Sequence, residues 1–266
     1  MIVTVIGAGK IGEAVARGLS ESARVSKVIV TKRNLSTLES LEKSKKFEIT
    51  SDNKKASEKA DIIVIAVKAG DGKHVLQEIA DNAENKIVIS LMAAISIKTI
   101  QKILPKSKIV RAMPNIAATI GEAITAYSPD QKLTKDDLAK VEFVFGTFGD
   151  SIEVPESLMD AVTALSGSGP AYIAVMIESM VSAGLKVGMP RDIAFKLATK
   201  TLTGTANLLN QKKMHPAELR DSVTTPAGTT IAGLYELEKG SFRTSIMNAV
   251  EAATLAAQKV AQKFED

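Results

Sequence analysis

The chain contains no cysteine and no tryptophan. Without cysteine, disulfides, thiol nucleophiles and thiolate metal sites are all excluded. Aromatic residues make up only 4% of the sequence, too few for the stacking platforms that hold single-stranded nucleic acid. Histidine occurs twice, at His74 and His215. A zinc site built from that distant pair would need carboxylates at a ligand spacing the sequence does not offer, so no metal is expected. No apolar run reaches the ~20 residues of a membrane span. A strand-like run starts at Ile2, leaving no stretch for a signal peptide, and a cytoplasmic protein is the expectation. The net charge is only +4 and its cations are scattered along the chain. That distribution suits small anionic molecules rather than DNA or a membrane.

What is present is ample apolar content, 45% over 266 residues, enough for two cores or one large one. Ile2-Val3-Thr4-Val5-Ile6 is a β-branched run followed by Gly7-Ala8-Gly9-Lys10-Ile11-Gly12 and then a helical pattern. This is the dinucleotide-binding fingerprint in its required setting, after a strand and opening a helix. Gly7 permits the tight turn, Gly9 lets a pyrophosphate approach the backbone, and Gly12 lets helix and strand pack closely. Gly7, Gly9, Lys10, Ile11 and Gly12 are therefore cofactor-binding candidates. The second strand, Val28–Thr31, ends at Thr31-Lys32-Arg33-Asn34, where an NAD site places an acid for the ribose 2′-hydroxyl. A hydroxyl and two cations stand there instead. Thr31, Lys32 and Arg33 suit the 2′-phosphate of NADP, Arg33 through its forked donors. NADPH is the expected cofactor, with NADH able to replace it.

Strands and helices alternate down to Val154. A polar helix is expected near Leu35–Lys45 and strands at Phe47–Thr50, Asp61–Val67, Lys86–Leu91, Lys108–Arg111, Ala123–Tyr127 and Ser151–Val154. The run Asp61–Val67 is apolar on both faces, as in a buried parallel strand. This reads as a Rossmann-type doubly wound α/β domain over residues 1–154. Ligands of such sheets lie at the carboxyl ends of the strands, so Val67-Lys68, Leu91-Met92-Ala93 and Met113-Pro114-Asn115 are further cofactor-lining candidates. From residue 155 to 266 only helical patterns follow. Residues 170–187 are apolar nearly all round, which calls for burial in a large core or against another subunit. An all-helical substrate-binding and dimerisation domain is expected. Gly70-Asp71-Gly72-Lys73 lacks the spacing of a P-loop, and Ser166-Gly167-Ser168-Gly169 is not a nucleophile elbow.

Within that helical half, Thr224-Thr225-Pro226-Ala227-Gly228-Thr229-Thr230 joins two helices. Its hydroxyls, together with the free N–H groups of the helix opening at Thr229-Thr230, make a place for a small anion such as a carboxylate. An ordinary helix connection with a threonine N-cap is the alternative.

Together these stretches resemble pyrroline-5-carboxylate reductase. The resemblance rests on the glycine motif, on Arg111-Ala112-Met113-Pro114-Asn115, on Leu165-Ser166-Gly167-Ser168-Gly169-Pro170-Ala171-Tyr172, and on Pro216–Lys239 with the threonine loop at its centre. The family often has Thr-Pro after Met-Pro-Asn, where this chain has Ile116-Ala117. It often has Gly-Gly where this chain has Ala227-Gly228. The resemblance implies reduction of a cyclic imine carboxylate to proline, with hydride from the nicotinamide cofactor. It implies that Gly228, Thr229 and Thr230 hold the carboxylate through backbone N–H groups, that Thr225 adds a hydroxyl, and that Thr230 serves the imine nitrogen. It places Glu156 near the substrate, with a first-turn helix acid as the alternative. It places Asn53 near the adenosine ribose, with a helix N-cap as the alternative. It also implies homodimers and rings of dimers. A β-hydroxyacid dehydrogenase would need a lysine followed four residues on by asparagine, but Lys186 and Lys196 are followed by Pro190 and Lys200. A non-catalytic NADP-binding sensor with the same fold stays open at this level.

Overall fold

The computed structural model describes residues 1–38, 41 and 44–265. An eight-stranded sheet runs in the order β3-β2-β1-β4-β5-β6-β7-β8. Its strands are β1 Ile2–Ile6, β2 Lys27–Thr31, β3 Phe47–Thr50, β4 Ile62–Ile65, β5 Ile87–Ser90, β6 Lys108–Met113, β7 Ala123–Pro129 and β8 Gly149–Glu153. β1 to β6 are parallel. β7 runs antiparallel to β6, and β8 parallel to β7, a reversal that no strand pattern in the sequence announces. The two-residue period of the central strands divides their side chains between two cores. Val3, Val5, Ile62, Val64, Ile87 and Ile89 enter one core with Val15 and Leu19 of α1 (Lys10–Glu21) and Val141 and Phe145 of α5 (Lys135–Gly146). Ile6, Ile63, Ile65 and Val88 enter the other with Leu76 and Ile79 of α3 (Ala69–Ile79) and Ile100 of α4 (Ile97–Ile103). Both faces of the sheet are covered, which is why these strands are continuously apolar.

The helix expected near Leu35–Lys45 opens as a 3₁₀ turn, Leu35–Leu38. Its remainder lies in part outside the described residues. A short helix, α2 (Asn53–Glu58), follows β3. The first of the helical patterns after residue 155 is not one helix but a 3₁₀ turn Glu156–Leu158, a short helix α6 (Met159–Val162) and a π turn Thr163–Gly167. The wide turn closes through the Ser168 N–H, which donates to the Thr163 carbonyl at 2.9 Å.

By packing, the chain divides into two units, residues 1–168 with 251–266, and residues 169–250. The second unit holds α7 (Gly169–Lys186), α8 (Arg191–Lys212), α9 (Pro216–Ser222), α10 (Thr229–Lys239) and the first turns of α11 (Phe242–Glu265). α7 and α8 approach closely because Gly184 has no side chain; a Cβ there would sit 2.9 Å from Ala194 Cβ. Their shared core is small, with only Val181, Ala194 and Ala198 fully buried. Among the described residues no helix is long and apolar enough to cross a membrane.

Candidate active site

Five of the loops singled out in the sequence follow the parallel strands β1, β2, β4, β5 and β6, so they gather at one edge of the sheet. Gly7 follows β1 with φ +93°, a conformation that favours glycine, and a Cβ there would press on Val67 Cγ1. The N–H groups of Gly7 and Ala8 both donate to the Thr31 carbonyl at 3.1 Å. The glycine turn is thereby tied to the end of β2. Gly12 packs so tightly that a Cβ would collide with the Gly7 carbonyl, whereas Gly9 faces open space. No side chain caps α1, so the N–H groups of Lys10 and Ile11 and the positive end of the helix remain for an anion. An open cradle at Gly9, an uncapped helix start and a rigid glycine turn fit a dinucleotide pyrophosphate.

At the end of β2 the three candidates differ in role. Thr31 is 2% exposed. Its hydroxyl donates to Asn53 Oδ1 at 2.6 Å, and Asn53 Nδ2 donates to Glu78 at 2.8 Å. Asn53 is not the cap of its helix; Asp52 is, accepting from the Lys55 N–H at 3.0 Å. Lys32 is half-buried and Arg33 fully exposed. Arg33 donates to Asp71 in the first turn of α3 at 2.8 Å. Positive charge at this corner therefore comes from Lys32 and Arg33, with Asp71 paired to Arg33 and Glu78 to the joined Thr31 and Asn53. Val67 is half-buried, and Lys68 and Ala93 are exposed. Asn115 caps the 3₁₀ turn Ile116–Ile120 by accepting from the Ala117 N–H at 3.3 Å.

Glu156 stands in the first turn of its own 3₁₀ segment, as the alternative had it, but its carboxylate also reaches other elements. Its Oε1 accepts from the Ile97 N–H at 2.7 Å and pairs with Arg111 at 3.5 Å. Arg111 is buried and also donates to Asp160 at 3.1 Å. A buried guanidinium held by two carboxylates is a rigid post. It fixes the carboxyl end of β6 against the 3₁₀ turn and α6, just before the π turn, where a Cβ on Gly167 would make ordinary van der Waals contact with Met113. Ser166 Oγ in that turn is buried with no hydrogen-bond partner among the described residues. The network of Arg111 with Glu156 and Asp160 had no signature in the sequence, because its members meet only through the sheet.

In the helical unit, α10 begins at Thr229 with Gly228 as N-cap and no capping side chain. The threonine-cap alternative is therefore wrong for both Thr229 and Thr230. Thr224 is spent locally, its hydroxyl donating to the Arg220 carbonyl at 2.6 Å. The Gly228 N–H is also committed, to the Thr225 carbonyl at 3.0 Å. The first intrahelical donor is the Ala232 N–H, to the Gly228 carbonyl, so the N–H groups of Thr229, Thr230 and Ile231 are left. A Cβ on Gly228 would strike Thr225 Oγ1, so the absence of a side chain lets the turn pass close to that hydroxyl. Ala227, where the resembled family often has glycine, sits at φ +56°. His215 caps α9, its Nδ1 accepting from the Ala217 N–H at 3.2 Å. Among the described residues no cluster of His, Asp and Glu can hold a metal.

A model of the pyrroline-5-carboxylate reductase dimerisation family matches residues 156–260, and one described as NADP oxidoreductase, coenzyme F420-dependent, matches residues 2–94. The pyrroline-5-carboxylate reductase of Synechocystis is 41% identical over 261 residues, covering 97% of this chain and 98% of the relative. The chain belongs to the pyrroline-5-carboxylate reductase family. Solved structures of the family agree. That from Coxiella burnetii superposes with TM-score 0.91 at 31% identity, covering 98% of each chain. The Plasmodium falciparum enzyme, solved with NADP bound, superposes with TM-score 0.87 at 30% identity, covering 98% of this chain and 97% of that one. The sheet and the helical half are thus the two parts of a family reductase, and the family model over the helical half is one of dimerisation.

Proposed function

We propose that this chain reduces 1-pyrroline-5-carboxylate to L-proline, using NADPH in preference to NADH. The observation that carries the reading is near-complete coverage by a named reductase at 41% identity, with the threonine loop intact. Lys10, Ile11 and Gly12, with Gly7 and Gly9 shaping the turn, hold the pyrophosphate at the start of α1. Lys32 and Arg33 receive the 2′-phosphate; Thr31 and Asn53 set the floor of that corner. Val67, Lys68, Ala93 and Asn115 line the rest of the cofactor's path. When bound, the cofactor supplies the hydride.

The substrate carboxylate is held by the N–H groups of Thr229 and Thr230 and by the Thr225 hydroxyl, across the turn made by Gly228. The Thr230 hydroxyl hydrogen-bonds the imine nitrogen and orients the ring. A threonine hydroxyl is too weak an acid to give up its proton at neutral pH, so the proton comes from solvent. Glu156 serves the substrate side by holding Arg111 and the start of α4. The functional boundary lies at 154/155, just after β8 ends at Glu153, with dimerisation through the helical half, assembly into rings of dimers, and a cytoplasmic location.

The test follows NADPH and NADH oxidation with pyrroline-5-carboxylate and with a panel of small keto acids. Turnover of the imine alone is expected. Turnover of a keto acid without the imine overturns the reading. For the cofactor, Arg33→Ala should weaken NADPH about tenfold or more and NADH by less than about twofold, since a charge-assisted hydrogen bond is lost only to the phosphate. Equal losses would show that the phosphate is not read there.

A further inference from the structure

The Arg33 guanidinium is already engaged before any phosphate meets it. Its Nη2 donates to Asp71 Oδ2 at 2.8 Å, in a pair whose side chains are 89% and 43% exposed. An ion pair this open to water adds little to folding stability, so its consequence is local and electrostatic. In NAD-type sites an acid stands at the end of β2. Here that place holds Lys32, Arg33 and Asn34. Asp71 returns a carboxylate to the same corner from a different element, the first turn of the helix after β4.

We propose that Asp71 is a specificity-determining residue that opposes the 2′-phosphate and so narrows the preference for NADPH over NADH. The proposal rests on Arg33 as the phosphate ligand. A 2′-phosphate and the Asp71 carboxylate compete for one guanidinium. Whether Arg33 leaves Asp71 or is shared, a like charge stays close to the phosphate and raises its free energy. NADH brings no phosphate, and its ribose hydroxyl can donate to a carboxylate. Asp71 therefore opposes one cofactor and tolerates the other.

Asp71→Asn keeps the shape and removes the charge. Calorimetry on the purified enzyme should show NADPH binding tightened about three- to thirtyfold, the scale of one partly screened charge pair, and NADH changed by less than about twofold. The same contrast should appear between 2′,5′-ADP and 5′-AMP, which carry no nicotinamide. The gain for 2′,5′-ADP should shrink between about 0.05 and about 0.5 M salt, as screening shortens the reach of an exposed charge. A variant that binds NADPH more weakly, or that shifts both cofactors equally, overturns the proposal. The Arg33→Ala arm separates the two readings. If Arg33→Ala affects both cofactors alike, the phosphate-reading role of Arg33 itself fails. If it is selective for NADPH while Asp71→Asn is not, the Asp71 proposal alone fails.

Discussion

At Thr230 a single hydroxyl separates chemistry from structure. Gly228 caps α10, and the Thr230 side chain takes no part in the cap. Thr230→Ala should therefore leave stability within about 0.5 kcal/mol, as for a substitution that breaks no cap. Its turnover should fall about ten- to a thousandfold in kcat, the range for one positioned active-site hydrogen bond. Thr230→Ser keeps the oxygen and should retain much of the activity. Steady-state kinetics beside urea unfolding check both halves, and wild-type turnover by the alanine variant would remove Thr230 from the chemistry. Ala227 presents the reverse case. Its left-handed backbone costs an alanine about 1–2 kcal/mol, while glycine loses more entropy on folding, about 0.4–1 kcal/mol. Ala227→Gly should stabilise the protein by up to about 1 kcal/mol in chemical unfolding, and a loss would show that the loop carries no such strain.

Helix starts differ among the elements. α1 and α10, the two proposed anion sites, open without side-chain caps, but so do α3, α6 and α8, so the missing cap permits an anion without by itself marking a site. α5 opens with a full capping box, Thr134 and Asp137 bonding each other's backbone. Asp137 also receives Lys108 of β6 at 2.7 Å. Burial pushes its carboxyl pKa up, but the Lys108 ammonium and the Thr134 donors outweigh burial and bring it to about 2. A carboxylate depressed below its unfolded value contributes stability above that value and loses it as pH falls through the folded one. The contribution, about 2 kcal/mol, should thus be intact above pH ~4 and disappear between about 4 and about 2. Urea midpoints measured across that range should fall less steeply for Asp137→Asn than for the parent chain. Parallel slopes would show that Asp137 does not carry the effect.

For the whole molecule the contrast lies between the two units. The sheet buries continuous cores on both faces, whereas the helical unit leaves Val175, Phe195, Leu197, Tyr235 and Met247 largely exposed in the single chain, Met247 by 70%. Apolar surface on that scale marks an association face, in keeping with the dimerisation family matched over residues 156–260. A stable dimer should bury more than about 2,000 Å² in total, and thermal stability should rise with protein concentration. Placing charge at these exposed apolar positions, as in Val175→Lys with Met247→Lys, should lower the sedimenting mass. A stable, active monomer at low micromolar concentration would overturn the assignment.

The positions of the strands, the glycine turn and the threonine loop were legible in the sequence because each depends on local chemistry. β-branched runs favour strands, glycine admits the φ +93° of Gly7, and a proline–glycine loop between helical patterns can only be a turn. The helical half showed itself through periodicity alone. What required the tertiary structure was every feature made by residues distant in the chain. β7 reverses direction against β6 because only a 3₁₀ turn links them, too short for the crossover a parallel neighbour needs. Arg111 meets Glu156 and Asp160, and Arg33 meets Asp71, only once the parallel sheet brings successive loops to one edge. Caps were misassigned for a related reason: Asp52 and Asn53, or Gly228 and Thr229, are equally plausible by type. Which of two neighbours leaves the helix is settled by where each side chain finds a partner. Asn53 found Thr31 and Glu78, and at Gly228 the backbone had to pass closer to Thr225 than any side chain allows.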